Sequence, residues 1–333
     1  MLLDRSDIRK RYSKIGAAYA MFVMTMYAAS LIIKLVVKKA DIVIDNSWVR
    51  YLIGLAPIWV FGFPVCYLMI KEMEKRVPDD HRLSLGYGFS FYFMLTFLML
   101  TGNIVGRLIA WLIELSTGLT MDNTTIDMIS SQNLLPSFVF AVIIAPVMEE
   151  IAFRKLLIDR LWFLSKKHTI FLSGIMFALF HTNLFQFFYA FLVGTVFAYI
   201  YTITGRIRYT IMLHMTINFM HGILPVALLK MMDIGKLASI TTLSPNSPEA
   251  RKITMELIGS PGFILFILYC LMILGFFITG IVLFCKNVKK MKVDDTNSYL
   301  QGSGSVSVVY RNAGMMTFII VMLIFSVIEV LIS

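Results

Sequence analysis

Runs of roughly 20 apolar residues recur along the whole chain, and they constrain its fold more than any other feature. A helix of about 20 residues is long enough to cross the roughly 30 Å hydrocarbon core of a bilayer. Lipid cannot hydrogen-bond a free backbone, and no run shows the alternating pattern of a barrel strand, so these segments should be helices. The sequence therefore predicts an all-α, polytopic transmembrane helix bundle of about eight or nine spanning helices.

Composition supports lipid as the main solvent of the chain. Of 333 residues, 58% are hydrophobic and only 15% are charged, which lies outside the range of ordinary soluble domains. The apolar run that follows the basic N-terminal flank is too long for a signal peptide, so we expect a retained first helix. The predicted spans lie near residues 15–37, 51–70, 86–113, 135–153, 169–187, 188–204, 209–229, 261–285 and 313–332.

The positions of the basic residues predict the orientation of these spans. With a cytoplasmic N-terminus, the inside segments hold 21 of the 30 Lys and Arg residues and the outside segments hold seven. This asymmetry favours nine spans with the C-terminus outside. The net charge is +10, but the basic residues are spread over five separate loops and not gathered in one stripe, which argues against a nucleic-acid partner. The many Lys and Met residues and the short loops between the spans suggest a bacterial plasma membrane.

We divide the chain into four regions on this basis. Residues 1–134 form an N-terminal three-helix membrane region, residues 135–230 a catalytic helical core, and residues 231–260 an extracytoplasmic loop. Residues 261–333 hold two C-terminal spans joined by a cytoplasmic linker, 286–312. The three cysteines show no paired or CxxC spacing, so neither a disulfide framework nor a cysteine zinc site is expected.

Ionisable residues inside the apolar runs identify candidate site residues, because each costs about 2.5–3.5 kcal/mol to place in a spanning helix. Glu149 and Glu150 are followed by Arg154. Glu150 and Arg154 are four residues apart and share a helix face, whereas Glu149 points about 100° away and is left for proton transfer. A pair of interfacial acids capped by the arginine is the alternative interpretation.

Histidines in two further apolar runs complete the candidate site. His181 follows Phe177 by four residues, and His214 precedes Asn218 by four, so each pair lies on one helix face. His221 extends the stripe of His214 and Asn218 and could merely line the cavity. A lone buried histidine is more often a packing residue, but three histidines beside an acidic pair would each need a buried partner.

These three patterns, in this order on three spans, resemble the motifs of the type II CAAX prenyl endopeptidase and bacteriocin-processing family, also called the Abi or CPBP family. The motifs are EExxxR at Glu149–Arg154, FxxxH at Phe177–His181 and HxxxN at His214–Asn218. The resemblance covers roughly residues 135–222. It implies an intramembrane glutamate peptidase in which Glu149 and His181 activate a water, while His214 and Asn218 stabilise the oxyanion. Glu150, Arg154 and Phe177 would then have supporting roles.

A metal site is the alternative mechanism for the same residues. Glu149, His181 and His214 could be three zinc ligands with one open position. The chain has no HExxH motif, which excludes a zincin. The resemblance favours a metal-free site that requires no cofactor. The chain also lacks the GxSG and GxGD motifs of intramembrane serine and aspartate proteases.

The sequence thus predicts an integral membrane peptidase that hydrolyses a membrane-associated or lipid-modified peptide, with membrane lipid and a peptide or lipidated protein as its partners. A non-catalytic scaffold or bacteriocin-immunity protein that binds a partner enzyme or peptide is the main alternative. A small-solute transporter is disfavoured, because it would need charged residues spread through several spans, for which Lys34 and Arg107 are too few, and no internal repeat is visible. The substrate and the oligomeric state are not predicted.

Overall fold

The computed structural model describes residues 4–118, 133–232, 244, 247–291, 293–295, 298–300 and 304–332, without the side chains of 329–332. These residues are helical with no strand, which confirms the predicted all-α class. Most of the predicted loop between residues 114 and 134, and much of the predicted loop 231–260, lie outside the described residues.

Eleven helices follow one another in the described part of the chain. They are α1 (Arg5–Lys39), α2 (Ser47–Ile70), α3 (Leu85–Thr117), α4 (Leu134–Leu161), α5 (Lys166–Phe180), α6 (Leu184–Thr204), α7 (Ile207–Lys230), α8 (Pro248–Ile258), α9 (Pro261–Asn287), α10 (Ser305–Tyr310) and α11 (Ala313–Ile332). 

Seven of these helices are long and apolar enough to cross a membrane: α1, α2, α3, α4, α6, α7 and α9. The two other predicted spans correspond to α5 and to α11, an apolar helix of 20 residues. The chain is therefore an integral, multi-pass membrane protein built as a helix bundle. At 15 residues, α5 is only about 22 Å long and does not match the thickness of the hydrocarbon core.

The break between α5 and α6 lies earlier than predicted. The hydropathy pattern places it between residues 187 and 188, but α5 ends at Phe180 and α6 begins at Leu184. Asn183 causes the difference, because its side chain accepts a hydrogen bond from the backbone N–H of Phe185 at 2.9 Å and caps α6. The apolar residues on both sides of this cap conceal the break from a hydropathy count.

Helices that are distant in sequence pack together in the bundle. α1 lies along α2 and α11, α5 pairs with α6, and α3 packs between α6 and α9. Gly102 and Gly106 on α3 permit the contact with α6, since a Cβ on either would press against the backbone at Tyr189 or Phe185. The division into four regions stays a prediction, but the first three helices do not pack as a separate group.

Several spanning helices contain π-helical segments, in which the normal pairing of carbonyls is disturbed. Those around the predicted site are Phe138–Ile144 and Ile151–Leu156 in α4 and Phe219–Ile223 in α7. Side chains from other helices donate to carbonyls within them: Asn218 to Ala141, Tyr19 to Ala152, Ser173 to Phe153 and Tyr269 to Met220. A carbonyl freed in lipid needs such a partner.

Two segments between helices contact one end of the bundle, where α5 begins and α6 turns into α7. One of these segments contains Asp295 and the other contains Asp80. Asp295 accepts hydrogen bonds from the Ser165 hydroxyl and the Lys166 backbone N–H, both at 2.8 Å, and so caps α5. At the α6–α7 turn, Arg206 forms an ion pair with Asp80. The hydrogen bonds from Arg206 hold the pKa of the Asp80 carboxyl below its usual range.

Candidate active site

Glu150 and Arg154 form a fully buried ion pair within α4. Both side chains are 0% exposed, and Nε of Arg154 lies 3.1 Å from Oε2 of Glu150. A buried charge is costly unless it is paired, so each of these residues depends on the other. The predicted pairing of Glu150 with Arg154 through their spacing of four is thus seen in the structure.

Other helices enclose the Arg154 guanidinium. Nη1 donates to the hydroxyl of Ser173 on α5 at 2.9 Å, and that hydroxyl donates to the carbonyl of Phe153 at 2.8 Å. The guanidinium carbon lies 4.9 Å from the ring centre of Phe177, within the range of a cation–π contact. These contacts fix Arg154 in one position and tie α4 to α5.

His214 lies between the two glutamates. Its Nδ1 is 3.1 Å from Oε1 of Glu150, and its Nε2 is 3.6 Å from Oε2 of Glu149. Because Glu150 is already paired with Arg154, its carboxylate is the acceptor and Nδ1 of His214 is the donor. Nε2 then faces Glu149. Glu149 has a side chain that is 20% exposed, unlike the sealed Glu150.

Phe177 places His181 beside the same group of residues. Nδ1 of His181 is 2.9 Å from the carbonyl oxygen of Phe177, so Nδ1 carries the proton and Nε2 is left as an acceptor. The ring centre of Phe177 lies 4.8 Å from that of His181 and 5.8 Å from that of His214. Both imidazoles therefore lie at the edge of one aromatic ring.

Asn218 joins α7 to a π-helical segment of α4. Its Nδ2 donates to the carbonyl of Ala141 at 2.9 Å. That carbonyl lacks its usual helical partners, because the N–H of Ala145 bonds to Phe140 and Pro146 has no N–H. Asn218 thus has one amide hydrogen in a structural contact and a second available for other bonds.

His221 lies further along α7 and contacts a different helix. Its Nε2 is 3.3 Å from the hydroxyl oxygen of Thr96 on α3, a residue that is fully buried. This contact gives His221 a structural partner on α3, and its role stays a prediction.

The contacts pair the predicted residues differently from the expected scheme. The resemblance grouped Glu149 with His181 and His214 with Asn218, whereas the direct contacts link His214 to both glutamates and Asn218 to Ala141. Within the described ranges, no three His, Cys, Asp or Glu side chains are grouped as a metal site. The individual roles, and the zinc alternative with Glu149, His181 and His214, stay predictions.

Residues outside the three motifs also build the site. Ser173 binds Arg154, the Phe197 ring lies 5.2 Å from that of His214, and Tyr19 on α1 donates to Ala152. Ser173 could have been identified from the sequence, because it precedes Phe177 and His181 at intervals of four and lies on the same helix face. Tyr19 could not have been identified in this way, because it lies 133 residues from its partner Ala152 in the sequence.

Comparison with known proteins agrees with the resemblance. Residues 131–220 match the family model described as "Type II CAAX prenyl endopeptidase Rce1-like", and this range includes all three motifs. Neither the curated proteins nor the solved structures gave a match to the chain. The predicted resemblance is therefore confirmed for residues 131–220, which match the Rce1-like type II CAAX prenyl endopeptidase family model, and this match supports an intramembrane peptidase.

Proposed function

We propose that this protein is an intramembrane peptidase that hydrolyses a membrane-associated or lipid-modified peptide with a water activated by Glu149. The observation that carries the proposal is the position of His214 between Glu149 and the sealed Glu150–Arg154 pair. The family match of residues 131–220 supports a peptidase, and the seven apolar helices support a substrate that is delivered in or at the membrane.

Glu149 is the candidate general base, because it is the glutamate that is partly exposed and outside the ion pair. A water held by Glu149 transfers a proton to the carboxylate as its oxygen bonds to the peptide carbonyl carbon. When the tetrahedral intermediate collapses, the C–N bond breaks and the proton passes to the leaving amine. His181 assists by accepting a hydrogen bond from the same water at Nε2, which its contact with Phe177 leaves free.

His214 and Asn218 are the candidate donors to the oxyanion. Nδ1 of His214 is held by Glu150, so Nε2 is the ring nitrogen left for the substrate, and it becomes a donor when the proton that Glu149 takes from the water passes to it. The carboxamide of Asn218 is oriented by its bond to Ala141, and its second hydrogen is available. Donors that are fixed before the charge develops are the usual means of stabilising such an intermediate.

Metal dependence separates this mechanism from the zinc alternative. We expect purified protein to keep its activity after prolonged chelation and to carry substoichiometric metal by elemental analysis. Asn218→Ala should lower turnover about 10²- to 10³-fold, as expected for one oxyanion donor, with little change in KM. A zinc centre would instead show chelator sensitivity, recovery on addition of zinc, and stoichiometric zinc that disappears in His181→Ala.

A further inference from the structure

We infer that the groove between α3, α7 and α9 binds one anionic phospholipid, independently of the proposed peptidase activity. The groove has a volume of about 430 Å³. Its walls are mainly apolar and aromatic side chains from the three helices, among them Tyr92, Tyr209, Leu213, Met220 and Phe276. Such a surface suits hydrocarbon chains and offers little to a polar peptide.

The groove opens on the outer surface of the bundle and has free space at its floor. Gly88 lines it, and a Cβ added at Gly88 would meet no atom within 4 Å. Two other lining residues, Phe89 and Met212, are 64% and 63% exposed. A lipid chain can therefore enter sideways from the bilayer without moving the helices.

Two arginines mark one end of the groove as a site for negative charge. The guanidinium carbon of Arg208 lies 5.2 Å from the ring centre of Tyr209, and Arg82 precedes Leu83, whose backbone N–H donates to the Tyr209 hydroxyl at 3.3 Å. Both arginines are exposed, and neither forms an ion pair with a carboxylate among the described residues, although the charge of each acts on the Asp80 carboxylate. By contrast, Arg206 is paired with Asp80.

An apolar groove that ends at two available cations matches a lipid with acyl chains and a phosphate head group. Arginine binds phosphate oxygens through charge-assisted hydrogen bonds, often in pairs. Both arginines lie next to the start of a spanning helix, α3 or α7, which is where a head group would be expected. The charge thus favours an anionic phospholipid over a neutral one.

The position on α7 argues against the lipid chain of a peptidase substrate as the occupant. At 100° per residue, Met212, Thr216 and Met220 lie on the face of α7 opposite His214 and Asn218. A substrate chain in the groove would have the helix between it and Glu149. We therefore assign the groove to a resident lipid.

The test compares lipid retention by native mass spectrometry of the purified full chain, with phosphatidylglycerol and phosphatidylcholine of identical chains as probes. We expect the wild type to retain one phosphatidylglycerol in preference to phosphatidylcholine. Gly88→Trp should lose it, because the indole fills the floor of the groove. Gly86→Trp is the matched control: Gly86 also has open space, but it is two residues away on the other side of α3 and should retain the lipid.

Replacement of the cations tests the head-group assignment. Arg208→Gln and Arg82→Gln should each lower the preference for phosphatidylglycerol roughly fivefold, the effect of one basic residue near a charged lipid, without abolishing retention of phosphatidylcholine. Thermal stabilisation of each variant by added phosphatidylglycerol in detergent gives a second readout for a variant that folds poorly. Equal retention of both lipids by the wild type, unchanged retention in Gly88→Trp, or displacement of the lipid by a lipidated peptide would each overturn the inference.

Discussion

Glu149 and Glu150 are adjacent in sequence but have different surroundings. Glu150 is sealed from solvent, paired with Arg154 and bonded to His214. Glu149 is partly exposed and faces the other nitrogen of the same imidazole. The first arrangement gives a fixed charge that orients its neighbours, and the second gives a carboxylate that a water can reach. One helix turn thus supplies a fully buried, paired carboxylate and a partly exposed one.

Substitution of the two glutamates should separate these roles. Glu150→Gln leaves Arg154 buried without its counter-charge, and breaking a buried pair in this way costs about 3–5 kcal/mol. Glu149→Gln removes the base but leaves the ion pair intact, so it should abolish peptide processing with little loss of stability. Thermal unfolding in detergent and a processing assay measure the two effects. Equal loss of folded protein in both variants would instead favour a purely structural acidic pair.

The sequence was sufficient to predict several residues that the structure brings together, but not how they contact each other. Spacing within one helix predicted that Glu150 and Arg154 pair, and the distance of 3.1 Å agrees. Contacts between helices depend on their rotation and depth, which spacing does not determine. This is why the placement of His214 between Glu149 and Glu150 was not predicted, although all three residues were identified.

At the scale of the helices, a π-helical segment also occurs in α2, at Pro57–Gly62, and those of α4 and α7 lie next to the predicted site residues in sequence. They lie on both sides of Glu149 and Glu150 and directly after Asn218. Each frees a carbonyl that another helix then binds through a side chain. The hydropathy pattern predicts continuous helices here, because a π segment leaves the run of apolar residues unchanged. The hydroxyl and amide groups that donate to the freed carbonyls are the sequence feature that accompanies these segments. They are scattered over α1, α5, α7 and α9, so a local pattern does not reveal them.

Loss of one of these donors should destabilise the bundle. Tyr19→Phe removes the hydroxyl that donates to Ala152 at 2.6 Å and leaves a buried carbonyl unpaired. We expect a loss of about 1–3 kcal/mol in the free energy of unfolding, together with lower turnover, because this segment carries Arg154. Tyr67→Phe is the control, since Tyr67 is 46% exposed; its effect should stay within about 0.5 kcal/mol. Similar stability of both variants would show that the Ala152 carbonyl needs no such donor.

At the scale of the whole molecule, residues outside the family-matched segment support the site. α1 packs along α2 and α11 and provides Tyr19, and a segment after α9 provides Asp295, which caps α5. The presence of the seven long apolar helices could be predicted, because it follows from local hydropathy, although the same pattern predicted two further spans. Their packing could not, because small residues such as Gly102 act through a distant partner helix.

The predicted orientation leads to a labelling pattern for single cysteines in intact cells. We expect Lys75→Cys, Lys167→Cys and Lys289→Cys, which replace exposed residues on the predicted cytoplasmic side, to be protected from an impermeant thiol reagent. Lys39→Cys and Lys252→Cys should be labelled. The three native cysteines are first replaced by serine or alanine. The reverse pattern would overturn the predicted orientation.

The most direct test of an intramembrane peptidase that uses Glu149 is the appearance of new peptide C-termini in membranes supplied with H₂¹⁸O. Hydrolysis by a water activated at Glu149 places one ¹⁸O in each newly formed carboxyl group, and terminus-directed mass spectrometry detects it. We predict a defined set of ¹⁸O-labelled termini in membrane proteins or lipidated peptides that is present with the wild type and missing with Glu149→Gln at equal abundance. An identical set of labelled termini in both membranes would contradict the assignment of Glu149 as the catalytic base.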